Sequence, residues 1–100
     1  FDHATYLYCV AKYPTRLDES SFPNFNNGRF KGISDHTLGN SAALFASSHG
    51  AMYLEKHFTL RNSFQYKTEQ AHLGAMTMND LIIIKNTSYE FEIIRKNIKT

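Results

Sequence analysis

Two histidines carry the residue types and setting best suited to chemistry in this sequence. His36 stands in "GISDHTLG", Gly32 to Gly39, and His57 in "YLEKHFTL", Tyr53 to Leu60. Each ends a short strand-like run, and the two lie 21 positions apart. Two neutral imidazoles that converge on one point can hold a divalent ion and leave positions open for water or substrate. Such an ion acts as a Lewis acid on a carbonyl oxygen. The spacing alone does not choose between that pair and two unrelated loop or capping histidines. His3, His49 and His72 have no comparable context. His49, beside Gly50, suits the C-terminal end of a helix, where a cation is favoured.

Further polar residues flank the pair. Ser34 and Asp35 can bind a phosphate or orient a ligand, and their types equally suit a turn or a helix cap. Side chains alternate along a strand, so Glu55 and His57 share a face while Lys56 turns away toward helices or solvent. Glu55 then lies one layer beneath His57, either as an acid facing the site or as half of a strand salt bridge. Tyr13, before Pro14, is either a packed aromatic or a hydroxyl facing the site. Cys9, inside a strand, reads as a small buried hydrophobe. The chain has no Gly-rich phosphate loop, nucleophile elbow or zincin helix motif.

These residues need elements to position them. "ATYLYCVAKYPT" predicts a strand over about residues 5–11, closed by Tyr13-Pro14. "RLDESSFPNFNNGRF" reads as a loop with at most one helical turn. A second strand follows over about 31–34. Asn40 or Ser41 caps a helix over about 41–49, which Gly50 ends. The third strand covers about 51–57, and residues 61–74 form a long polar loop. Thr77 and Asp80 open a last helix, about 78–97, whose stripe of Leu81, Ile84, Phe91, Ile94 and Ile98 is apolar. Thr87 and Ser88 allow a break in its middle.

Alternating β and α elements predict an α/β fold with a parallel sheet. In such sheets the chemistry sits beyond the carboxyl ends of the strands. Lys12-Tyr13, Ser34-Asp35-His36 and Glu55-Lys56-His57 all fall at those ends. Side chains of adjacent strands stand about 5 Å apart there, which makes His36 and His57 plausible neighbours.

Composition bounds the rest. The 100 residues carry 11 basic and 9 acidic side chains, a net charge of +2 that gives no electrostatic case for nucleic acid or an anionic membrane. The aliphatic run Leu81–Ile84 is far short of the ~20 residues that span a bilayer. A single cysteine excludes an intrachain disulfide and suits a reducing cytoplasm. The N-terminus has neither a methionine nor the pattern of a signal peptide, and a strand-like segment follows almost at once, which predicts a piece of a longer protein.

"YCVAKYPT", "KGISDHTLGNSAAL" and "GAMYLEKHFTL" resemble, in order, three consecutive signature blocks of the sialic acid synthase family, and the likeness continues loosely through "AHLGAMTMNDL". The resemblance implies a (β/α)8 TIM-type barrel, followed in the family by an antifreeze-like domain that is not expected within these 100 residues. Residues 1–100 would supply the last three β/α units. It implies a metal-dependent condensation of phosphoenolpyruvate with an N-acylated hexosamine of the N-acetylmannosamine type, using manganese or magnesium. By matching position, His36 and His57 are the implied metal ligands and Ser34 a phosphate contact. Tyr13 and Glu55 are the implied contacts on the sugar side and the catalytic pair.

The resemblance has gaps. Where the family has a Gly-Pro-Asp loop that holds the acceptor sugar, this chain has Ala71, with Glu69 as the nearest acid. The earlier strands that bind phosphoenolpyruvate are missing, so the chain is expected to need the remainder of the barrel or another copy of itself. Two alternatives stand beside the synthase reading. One is a non-catalytic truncated barrel remnant acting through protein contact, the other an unrelated small metal-binding α/β module such as a hydrolase.

Overall fold

The computed structural model describes residues 3–60 and 74–98. Three strands, β1 (Tyr6–Cys9), β2 (Phe30–Ser34) and β3 (Tyr53–Glu55), form one sheet in the order β1-β2-β3. Both pairings are parallel, as the alternating pattern requires. A 3-10 turn, Leu17–Glu19, lies between β1 and β2, helix α1 (Ser41–Ser48) between β2 and β3, and helix α2 (Met78–Lys96) follows.

The register sorts the strand residues into two faces. Tyr8, Ile33 and Leu54 are cross-strand partners, and they pack with Phe22, Phe25, Phe30, Ala46 and Ala51 into the core under α1. Tyr8 meets Phe22 and Phe30 edge-on, with ring centroids 5.7 and 6.3 Å apart, a favoured aromatic geometry. On the other face Leu7, Gly32 and Tyr53 form one row, and Cys9, Ser34 and Glu55 the next. That second row carries the polar residues toward the strand ends.

Gly32 has a steric reason. A Cβ built there would lie 2.0 Å from the Tyr53 carbonyl oxygen, so only a residue without one lets β2 and β3 approach. Gly50 follows α1 with φ of +97°, the left-handed conformation that ends helices and that glycine adopts freely.

Helix α2 starts as its sequence predicts. The Asp80 amide donates to Thr77 Oγ1, and the Thr77 amide donates to Asp80 Oδ2 at 2.8 Å, a reciprocal capping box. Asn40 occupies the position before α1, but its side chain leaves its own helix uncapped. It donates to Asp80 Oδ1 at 3.1 Å and joins the two helix starts.

Several expectations change. The helix continues through Thr87 and Ser88 without a break, because both fall on its partly covered side. The predicted stripe is buried only at its start. Ile84 is 6% exposed, while Ile94 and Ile98 are 61% and 65% exposed, since the helix outruns the short α1 that it packs on. Strands β1 and β3 are shorter than read, so His57 lies beyond β3 in an extended segment where Phe58 bridges Met76. The polar loop with Glu69, Ala71 and His72 lies outside the described residues. Among the described residues no helix is long and apolar enough to cross a membrane.

Candidate functional site

The site begins where the β2 and β3 ladder ends. The Asp35 amide donates to the Glu55 carbonyl at 2.8 Å, extending the parallel pairing one step past Ser34. The loop after β1 is laid alongside that extension. The Thr15 amide donates to the His36 carbonyl at 2.9 Å, Thr15 bridges Thr37, and Thr15 Oγ1 donates to the Lys12 carbonyl at 2.6 Å. These bonds carry Tyr13 over to the two histidines.

Tyr13 stacks on His36, with ring centroids 3.8 Å apart, and meets His57 edge-on at 5.4 Å. Its hydroxyl lies 2.7 Å from His36 Nε2 and 3.3 Å from His57 Nε2. Both Nε2 atoms therefore lie close to the one hydroxyl. Beneath them Ser34 Oγ donates to Glu55 Oε1 at 2.8 Å and lies 3.3 Å from His36 Nε2. Tyr13, Ser34, His36, Glu55, Lys56 and His57 line one open cavity of about 300 Å³. All five residues singled out from the sequence meet there.

Burial, first, and then the negative forms of Cys9 and Glu55 hold the Tyr13 phenol above its usual range. The hydroxyl thus keeps its proton at neutral pH. It can donate to one imidazole nitrogen and accept from the other. Two imidazole nitrogens converging on one point suit a divalent ion with open positions. Among the described residues no group of three or more His, Cys, Asp and Glu stands together in an ion-holding arrangement.

One reading of a single residue needs correction, and a second is sharpened. Cys9 is exposed rather than buried, because its place in the register puts it on the polar face with Ser34 and Glu55. Its Sγ lies 3.5 Å from His36 Nε2. Lys56 does turn away from Glu55 and His57, but into a buried ion pair rather than to solvent. Its Nζ lies 2.9 Å from Asp35 Oδ2, with both side chains 1% exposed. Asp35 takes the turn-making role as well, its Oδ1 accepting from the Thr37 amide and hydroxyl at 2.9 and 2.7 Å. The pair was legible in principle, since Asp35 and Lys56 have opposite charge and the same 21-residue separation as the histidines.

Fold and site together define a parallel β/α protein with a polar cavity at the carboxyl ends of its strands. The NeuB family model matches residues 2–96, and the chain belongs to that family. Pseudaminic acid synthase of Helicobacter pylori is 35% identical over 61% of this chain and 19% of its own length. N,N'-diacetyllegionaminic acid synthase of Campylobacter jejuni is 35% identical over 69% of this chain and 22% of its own length. The chain thus spans about a fifth of the curated relatives it matches. In fold it is similar to the N-acetylneuraminic acid (sialic acid) synthetase of Leptospira borgpetersenii, solved in complex with citrate. The TM-score is 0.73 at 23% identity, over 93% of this chain and 33% of that one.

Proposed function

We propose that this chain is part of the catalytic barrel of a phosphoenolpyruvate-dependent nonulosonic acid synthase, its three β/α units being the last three of a (β/α)8 barrel. The reaction joins the methylene carbon of phosphoenolpyruvate to the aldehyde carbon of an N-acylated hexosamine. A water adds at the phosphate-bearing carbon, which then releases phosphate and becomes the keto carbon. The observation that carries the reading is the convergence of His36 and His57 on the Tyr13 hydroxyl, directly above the Ser34–Glu55 pair. Family membership supports it.

In this reading His36 and His57 hold a manganese or magnesium ion through Nε2, with the other positions left to water and substrate. When bound, such an ion polarises the acceptor's aldehyde oxygen. Ser34 contacts the phosphate of phosphoenolpyruvate and is oriented by its bond to Glu55. Glu55 and Tyr13 face the sugar, the carboxylate accepting from a sugar hydroxyl and the phenol holding its proton at Oη for a sugar oxygen. A cytoplasmic location belongs with this reading.

The other strands come from a longer chain or a partner. Among the described residues β1 and β3 are the edges of the sheet, and α2 exposes Ile82, Ile83, Tyr89 and Ile93. Unpaired edges and apolar faces of this kind call for cover. The same exposed face favours a second reading, a non-catalytic barrel remnant that acts through protein contact.

Phosphate release from phosphoenolpyruvate with N-acetylmannosamine tests the choice. A barrel completed around this chain is expected to turn over, and to lose turnover in the His36→Ala variant. Absence of turnover with every N-acylated hexosamine tried, in a completed and folded barrel, would favour the remnant.

A further inference from the structure

The charged pair behind the histidines has no part in the chemistry proposed above, yet its placement ties it to both. Asp35 immediately precedes His36 and Lys56 immediately precedes His57. Lys56 Nζ donates to Asp35 Oδ2 at 2.9 Å, to the Thr37 carbonyl at 2.8 Å and to the Gly39 carbonyl at 3.0 Å. An ammonium has three donors, and all three are used. Asp35 Oδ1 accepts from Thr37, so the acid is fully engaged as well.

Such a pair is a poor choice for stability alone. Taking two charges out of water is costly, and well-packed apolar residues often do as well or better in their place. Here the ammonium draws residues 35, 37 and 39 around one point, which fixes the turn that carries His36. The same side chain leaves the backbone one residue before His57. One ion pair therefore sets the position of both imidazoles at once.

We propose that Asp35 and Lys56 are positioning residues that hold His36 and His57 in convergence, a role that rests for its catalytic meaning on the ion-holding reading of those histidines. Neither residue touches substrate in this account. They act on the far side of the sheet, through the backbone of the two strand ends.

The test compares the chain with its Lys56→Met and Asp35→Asn/Lys56→Met variants. Proton NMR reads two contacts, Tyr13 to His57 in the site and Tyr8 to Phe22 in the core, and cobalt(II) serves as the metal probe. In Lys56→Met the core contact is expected to persist while the site contact is lost. Cobalt affinity is then expected to drop by about 10- to 100-fold, as for other groups that support ligands from behind. The double variant removes the unpaired buried charge and is expected to recover thermal stability without recovering the Tyr13–His57 contact.

An unchanged site contact in either folded variant would overturn the proposal. So would a double variant that regains stability and site contact together, or the failure of both variants to fold, since each makes the pair a structural one. If the unaltered chain shows the ring contact but binds no cobalt, the ion-holding reading fails. The positioning role then stands on the NMR contacts alone.

Discussion

Ser34 and Glu55 are register partners on β2 and β3, and their side chains meet at 2.8 Å. The same offset runs on for two more steps. Asp35 and Lys56 pair on the opposite face, and His36 and His57 return to the first face around the Tyr13 hydroxyl. Three residue pairs at one offset thus alternate sides, the first within the ladder and the next two just beyond the strand ends. The two-residue period of extended chains leads one to expect this. The separation of the two histidines is a consequence of strand register, not a coincidence of loop lengths.

That register depends on β2 and β3 lying close together, and Gly32 is where they come closest. Gly32→Ala is expected to lower stability by about 3 kcal/mol or more, at the upper end of overpacking costs, because the new methyl would meet backbone 2.0 Å away. Urea denaturation measures this. An unchanged midpoint would mean that the strands separate at little cost and that the register is loosely set.

The start of α2 has its own dependence on pH. The bond from the Thr77 amide, first, and the Asn40 side chain, second, hold the Asp80 carboxyl below its usual range. A depressed value in the folded state gives stability that is present above the unfolded value, about pH 4, and is lost as pH falls through the folded one. Asp80→Ala is expected to cost about 1 kcal/mol at neutral pH. It should also remove part of the acid sensitivity. Thermal melts from pH 7 down to pH 3 check both, and parallel profiles for the two proteins would contradict the assignment.

Much of this site is legible in the residues themselves, and the reasons are local. Short runs bounded by Pro14, Gly28 and Gly39 mark strands whose ends carry Tyr13, His36 and His57. The Thr77–Asp80 box and Gly50 mark helix boundaries by their backbone requirements alone. What escapes is decided by pairing. Cys9 has the composition of a core residue, but its partners Ser34 and Glu55 put it on the polar face. Lys56 reads as turned toward helices or solvent, and only the pairing with β2 supplies Asp35 as its partner. The exposure of Ile94 and Ile98 depends on how far α1 extends beneath α2, which the pattern of one helix cannot tell.

Tyr13 separates contact with the histidines from contact with substrate. Tyr13→Phe keeps the ring that stacks on His36 and removes only the hydroxyl between the imidazoles. Metal binding by the chain is expected to survive this change, with an affinity within about tenfold of the original, the scale of one hydrogen bond. In a completed barrel, kcat/KM for the acceptor sugar is expected to fall about tenfold or more. Loss of metal binding with unchanged kinetics would reverse the roles given to ring and hydroxyl.

The central claim is that His36 and His57 form one ion-holding pair. Calorimetric titration with manganese(II), on the chain and on its His36→Ala and His57→Ala variants, tests it most directly. The account predicts one ion bound per chain and no measurable binding in either folded variant. A chain that binds no manganese, or variants that bind it as the unaltered chain does, would contradict it.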